Sequence, residues 1–226
     1  MITYHHELIQ GSDEWLAARC GILTASEMKL IITPTLKIAD NDKSRSHLWE
    51  LLAQRITGYV EPRYVSDDML RGQSDEVEAK ILYNAHYAPL RDVGFITNDK
   101  WGFKIGCSPD ALLISDNAGL ECKSRRQKFQ VQTIVEMEMP EEYAIQVQTC
   151  MLVSEKPSWD FVTYSGGLPM LTLTVLPDLV MQEAIVTAAT AFEKKLQEKL
   201  EIYNDRLRSD ARLIPTERKI EEEITL

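Results

Sequence analysis

Two acids and a lysine stand close together in the middle of this 226-residue sequence: Asp110, preceded by Pro109, and then Glu121 and Lys123 on either side of Cys122. Residues 102–107 alternate apolar and polar side chains as a strand does, and Pro109 holds Ser108 in extended geometry and bends the chain. Residues 111–114 read as a second short apolar strand. Residues 115–119 are a turn-rich connection, and Gly-Leu-Glu-Cys-Lys re-enters the sheet. Side chains two apart on a strand share a face, so Glu121 and Lys123 point one way and Cys122 the other. Two carboxylates and an ammonium can then converge at the open end of a hairpin. Hard oxygen donors with no His or Cys pair suit Mg²⁺, with Mn²⁺ as the alternative ion, and such an ion completes its shell with water and substrate phosphate. A carboxylate beside a lysine on a strand is also how a solvated sheet face reads. The triplet by itself does not decide between them.

The chain is long enough for one domain with a substantial core, 44 % of its residues being hydrophobic. No apolar run near its start has the form of a signal peptide, and none approaches a membrane span. The four cysteines (Cys20, Cys107, Cys122, Cys150) lack C-x-x-C spacing, which argues against a zinc or iron–sulfur site; Cys107, Cys122 and Cys150 read as buried free thiols, in a reducing cytoplasm. The four histidines (His5, His6, His47, His86) show no pairing and read as surface or cap residues. A glycine-rich phosphate loop is missing, which disfavours an NTP-driven motor. The net charge of −10 speaks against a general affinity for nucleic acid, unless cations gather at one concave site. Lys123 to Lys128 (KSRRQK) is the one dense basic run, and it directly follows the candidate metal site.

The elements that must position these groups follow from periodicity and caps. Ser12 or Asp13 can cap a short helix to Arg19, which Gly21 ends. Thr24 and Glu27 have capping-box spacing, and Met28, Leu30, Ile31 and Ile32 supply the apolar face of a second helix. Ser26 near that helix start, with Arg19 before it, could hold a phosphate between hydroxyl, amides and guanidinium; a plain cap and a surface arginine are the alternative. Residues 34–43 form a loop carrying Lys37 between Leu36 and Ile38. A helix over residues 44–57 has Leu48, Trp49, Leu51, Leu52 and Ile56 as its apolar residues, and Gly58 closes it. The next, over residues 67–87, turns Met69, Leu70, Val77, Ile81 and Leu82 inward and leaves Glu76 among Asp75 and Glu78 on a solvated face. Strands follow Pro89; Trp101 reads as core packing. Residues 127–139 are ambiguous. A helix from Pro140 then carries Gln146 and Gln148 on different faces, of which at least one should bond the sheet or the site. Two more strands and a long amphipathic helix over residues 178–207 complete the pattern, before a mixed-charge tail. This is an α/β domain: a helical portion over about 12–88, a central mixed sheet flanked by helices over about 89–177, and a final helix and tail over about 178–226.

Asp110, Glu121 and Lys123 together resemble the PD-(D/E)xK nuclease motif. Four blocks in order sharpen this to the lambda-type phage exonucleases, the viral recombinase nuclease family of the restriction-endonuclease-like fold. EWLAARCGILTASE resembles the family's N-terminal block, and RGQSDEVEA its helix bearing a G-x-x-x-E acid, with Gly72 and Glu76 in those places. IGCSPDALL with LECK resembles the metal block, and AIQVQTCM the Q-x-Q helix. The resemblance implies that Asp110 and Glu121 bind two Mg²⁺ ions with the Cys122 carbonyl, Asp110 bridging them and Glu76 completing the second shell, directly or through water. It implies that Lys123 orients or deprotonates the attacking water, and that Arg19, Ser26, Ser108 and Gln148 hold a terminal 5′-phosphate. Lys37, Arg125, Arg126, Lys128 and Gln146 are candidates for contacts with the DNA backbone. The sequence after Lys123 departs from the lambda pattern, which leaves those cations unplaced.

The resemblance further implies a 5′-to-3′ exonuclease on linear double-stranded DNA, in a homotrimeric ring around the duplex, leaving 3′ overhangs for a phage single-strand-annealing protein in the bacterial cytoplasm. A ring also answers the charge objection, because a few channel cations can hold DNA while the exterior stays acidic. The rivals are an endonuclease or junction resolvase of the same fold and an inactive DNA-end-binding module.

Overall fold

The computed structural model describes residues 1–62, 66–115, 117–209 and 211–218. Asp116 in the expected turn and the tail beyond residue 218 lie outside the described residues. The chain opens with β1 (Ile2–His5), α1 (Asp13–Arg19), β2 (Leu23–Thr24) and a 3₁₀ turn (Met28–Leu30). Two helices follow, α2 (Asp42–Thr57) and α3 (Asp67–His86). Then come β3 (Leu90–Arg91), β4 (Phe95–Asn98), β5 (Ile105–Cys107), β6 (Ala111–Leu113) and β7 (Ala118–Ser124). The last elements are α4 (Gln127–Glu136), α5 (Glu141–Ser154), β8 (Ser158–Tyr164), β9 (Leu171–Val175) and α6 (Leu179–Leu207).

Local chemistry accounts for most of these boundaries. Ser12, Asn41, Ser66 and Asp178 each accept a hydrogen bond from a backbone amide three residues on, which satisfies a donor the helix start leaves open. Gly58 ends α2 in the left-handed region at φ 64°, where a side chain would be strained.

The expected mixed α/β architecture is present, but it is built on two sheets rather than one. Strand order is β1-β4-β5-β2 in the first and β3-β6-β7-β8-β9 in the second, and both are mixed. The Ser108-Pro109 bend is the crossing point: β5 pairs with β4 and β2, whereas β6, four residues on, pairs with β3 and β7. β7 and β8 run parallel over seven residue pairs, from Ala118 opposite Ser158 to Ser124 opposite Tyr164. Trp159 of β8 covers Gly119 so closely that a Cβ there would lie 2.3 Å from the indole. α5 packs against β4, β5 and β8, and α6 against α5 and α2; these elements enclose the main core. α3 packs on β7 and β8 over a smaller cluster of Ala79, Tyr83, Ala111, Leu120, Cys122 and Val162.

Three expectations are corrected. The Thr24–Glu27 stretch does not start an α-helix. Thr24 is drawn into β2 by pairing with Gly106, and its hydroxyl donates to Glu27 Oε2 at 2.8 Å instead of capping an amide. Only the three-residue 3₁₀ turn follows. The face of α3 is also reversed: Met69, Leu70, Val77 and Ile81 are exposed, while Ala79 and Tyr83 are buried. On α2, Trp49 is exposed and His47 is buried, stacked on Phe192 with ring centroids 5.7 Å apart.

Candidate active site

Along β7 the pleat sets the directions. Glu121 and Lys123 turn toward α5, where Gln146 Nε2 donates to Glu121 Oε1 at 2.6 Å and the Tyr143 ring lies 5.4 Å from Lys123 Nζ. Lys123 Nζ is 2.5 Å from Glu121 Oε1. Cys122 turns the opposite way, into the cluster beneath α3. Asp110 arrives from the bend and is fastened to β7 on both sides of Glu121. Its N–H donates to the Leu120 carbonyl at 3.1 Å, and its Oδ2 accepts from the Cys122 amide at 2.5 Å. Glu76 reaches the group from α3, in the neighbourhood of the Glu121 and Lys123 charges. One turn on, Lys80 Nζ lies 3.7 Å from Glu76 Oε1 and donates to the Asp110 carbonyl at 3.0 Å and to Asp92 Oδ1 at 2.9 Å.

The acids strain against one another. Burial, reinforced by the charges of Glu121 and Glu76, holds the Asp110 carboxyl well above the usual carboxylate range. Burial also raises Glu76; Lys80 opposes that shift and Glu121 adds to it. For Lys123, burial favours the neutral amine, but the Glu121 and Asp110 charges outweigh it and raise the ammonium's pKa. The donor set suits a hard divalent cation. Glu121 Oε2 is buried without a hydrogen-bond partner, a cost a ligating ion would remove. Among the described residues no three His, Cys, Asp or Glu side chains are gathered as a ready-made metal site.

Beside the acids lies a second constellation, joined to them through Ser108, Pro109 and Asp110. Arg19 Nη1 donates to Ser108 Oγ at 3.0 Å, and Nη2 to Thr24 Oγ1 at 3.3 Å. Its guanidinium sits 4.2 Å over the Trp15 ring, and Trp15 Nε1 in turn donates to Ser108 Oγ at 3.0 Å. Ser26 Oγ is 3.4 Å from Thr24 Oγ1. Three of the four residues expected at a phosphate, Arg19, Ser26 and Ser108, are thus gathered. The structure does not bring Gln148 to them. Its Nε2 donates to the Leu176 carbonyl, and its Oε1 accepts from Asp178 N and Gln182 Nε2, so the amide ties α5 to the start of α6. Of the two glutamines, Gln146 serves the acids.

The remaining cations are dispersed. Lys37 is exposed on its loop. Arg125 is buried, donating to Glu142 Oε1 at 2.7 Å and to the Tyr143 hydroxyl at 2.9 Å. Arg126 pairs with Asp68, and Lys128 is exposed with its Nζ 4.6 Å from the Phe129 ring centroid. Sequence reasoning missed Lys80, Trp15 and Thr24. The signal available for the first two was helical spacing: Lys80 lies four residues after Glu76, and Trp15 four before Arg19.

A mixed α/β architecture with an acid cluster on its bent hairpin, served by flanking helices, is that of the restriction-endonuclease-like fold. The chain belongs to the YqaJ-like viral recombinase domain family, whose profile matches residues 14–157. Among solved structures it is similar to an alkaline exonuclease (LHK-Exo) from Laribacter hongkongensis, with a TM-score of 0.76 at 26 % identity, over 87 % of this chain and 98 % of that one. The same exonuclease in complex with dAMP matches at a TM-score of 0.77 and 27 % identity over the same shares. A phage-related exonuclease from Haemophilus somnus shares the fold at a TM-score of 0.52 and 16 % identity, over 79 % of this chain and 96 % of that one. No curated protein matches the chain.

Proposed function

We propose that this chain is a 5′-to-3′ exonuclease acting on linear double-stranded DNA with 5′-phosphorylated ends, releasing mononucleotides and leaving 3′ overhangs. The observation that carries the reading is the short covalent link between two different sites. The Arg19–Ser108 constellation is only a proline away from Asp110, so an anion held there lies beside the acids. A duplex end with a terminal phosphate fills both sites, whereas an internal phosphodiester leaves the first without its phosphomonoester.

Asp110, Glu121, the Cys122 carbonyl and, directly or through water, Glu76 would hold two Mg²⁺ ions, or Mn²⁺, which supply an activated water and neutralise charge on the phosphate. The chain's own groups do the rest. Lys123, whose ammonium the neighbouring acids favour, places positive charge where the transition state gains negative charge, and this supports electrostatic stabilisation and orientation over proton abstraction. Gln146 fixes the rotamer of Glu121, and the Cys122 amide that of Asp110. Lys80 braces the Asp110 backbone.

The product suits a single-strand-annealing recombinase as partner. A ring of three copies suits the charge of −10, because the acids can face outward, and the exposed apolar residues of α3 are a surface such copies could cover. No described helix is long and apolar enough to cross a membrane.

Linear duplex labelled at either end, with and without a terminal phosphate, tests the reading in magnesium. Loss of label from the 5′ end and much slower digestion of 5′-hydroxyl ends are expected. Equal rates on the two ends would remove Arg19 and Ser26 from the pocket, and cutting of supercoiled circles would indicate an endonuclease instead.

A further inference from the structure

Beyond Lys123, β7 runs into a cleft of about 370 Å³ that the catalytic reading does not use. Its walls include Arg71 from α3, Arg125 and Arg126 from the end of β7, Gln127 at the start of α4, and Ser165 after β8; Asp75 is the one acid among them. Three arginines thus line the cleft with one acid, which already accepts from the Ser124 hydroxyl at 2.5 Å; Glu142 pairs with Arg125, and Asp68 with both Arg71 and Arg126. No side chain caps the first turn of α4, so its leading amides add donors in a region where the helix dipole is positive. Arg125 supplies an independent sign of a missing ligand. It is 9 % exposed, it lines the cleft, and its buried Nε has no hydrogen-bond partner. Glu142 already pairs with this guanidinium through Nη1 at 2.7 Å, so what Nε lacks is one further acceptor, which a phosphate oxygen can supply.

We propose that this arginine cleft binds an internal backbone phosphate of the duplex, as a second anchor separate from the Arg19–Ser108 site. The proposal rests on DNA being the substrate. Arg125 lies four positions after Glu121, just past the end of β7, which at about 3.3 Å per residue of extended chain is about 13 Å. A duplex strand carries one phosphate per about 3.4 Å of axis, so a phosphate a few nucleotides from the reacting one falls within reach. Asp68 now occupies part of this role. It lies 2.9 Å from Arg71 Nη1 and 3.1 Å from Arg126 Nη2, bridging the two guanidiniums as a phosphate would. Its side chain is 56 % exposed, and solvated pairs of this kind contribute little, so a phosphodiester can displace it.

The test measures binding of 5′-phosphorylated and 5′-hydroxyl duplexes by fluorescence anisotropy in calcium across a salt series. The Arg71→Gln/Arg126→Gln double variant should weaken binding of long duplex about tenfold and lower the slope of log K against log salt by about one to two. Its preference for long duplex over a phosphorylated dinucleotide should shrink. Asp68→Asn, which removes the competing carboxylate and keeps both arginines, should tighten long-duplex binding severalfold. Unchanged affinity and slope in the double variant would overturn the proposal, as would an equal loss on the dinucleotide. Competition by inorganic phosphate that the double variant abolishes while its duplex affinity holds would make this a free-phosphate site, and overturn it too. If wild-type protein shows no preference for 5′-phosphate over 5′-hydroxyl ends, the exonuclease reading fails while the arginine arm still reports.

Discussion

α2 and α3 are consecutive helices of similar make, each capped by a polar side chain, yet they are used in opposite ways. α2 turns Leu48, Leu51 and Leu52 into the main core, and its one deep charge, Arg55, is clasped by both carboxylate oxygens of Glu193 on α6. α3 turns Glu76, Lys80 and Tyr83 toward the sheet and leaves Met69, Leu70, Val77 and Ile81 outside. One helix stabilises the fold by removing apolar surface from water. The other gives up much of that gain to hold charge against Asp110 and Glu121. A helix that turns half-buried charges toward the sheet and leaves its larger apolar side chains outside therefore marks the site.

This contrast can be broken most sharply at the chemistry. Lys123→Ala and Glu76→Gln should each lower turnover on linear duplex at least about 100-fold while binding in calcium stays near wild type, since what is lost acts on the transition state. Full activity in either variant would return α3 or the β7 lysine to a structural role. On α2 the expected effect moves to stability. Leu51→Ala should cost about 2–5 kcal/mol in urea unfolding and leave the pH profile of activity unaltered. Glu76→Gln should do the reverse and leave the metal-free protein as stable or more so.

A smaller effect follows from the raised Asp110 and Glu76 carboxyls. Their folded pKa values lie above the unfolded ones, so the folded metal-free protein binds more protons in that window and its stability falls as pH rises above about 4. Melting followed from pH 5 to pH 8 should show that decline, and magnesium should flatten it; a rise with pH would mean the acids are already neutralised within the fold. The smallest change is expected for Val77→Gln, within about 0.5 kcal/mol for the monomer. The same variant should weaken self-association measured by sedimentation, and unaltered assembly would separate this face from any ring.

Much of this was legible in the primary structure because the relevant rules are local. The pleat of β7 alone puts Glu121 and Lys123 on one face, and the Pro109 bend alone places Asp110 near them. The cap at Ser12 falls where short-range hydrogen bonding requires it, whereas Asn41 starts α2 two residues earlier than periodicity suggested. Where distant partners decided the outcome, local rules failed. Thr24 has the spacing of a capping box, but pairing with Gly106 drew it into a strand. Gln146 and Gln148 are equivalent as residue types on one helix; only the neighbours each face gives them, Glu121 in one case and the start of α6 in the other, separate a site group from a tie. Periodicity likewise says that a helix has two faces, but not which one the sheet will accept.

The amino-acid order by itself determined that two acids and an amine share a bent ribbon, and which family the chain resembles, since both depend on identity and spacing along the chain. Tertiary structure alone decided that the bend passes between two sheets, that α3 turns Glu76 and Lys80 toward the acids, and that Arg71 of α3 meets Arg125 and Arg126 over one cleft. Those outcomes depend on contacts between segments far apart in sequence, and no local preference encodes them.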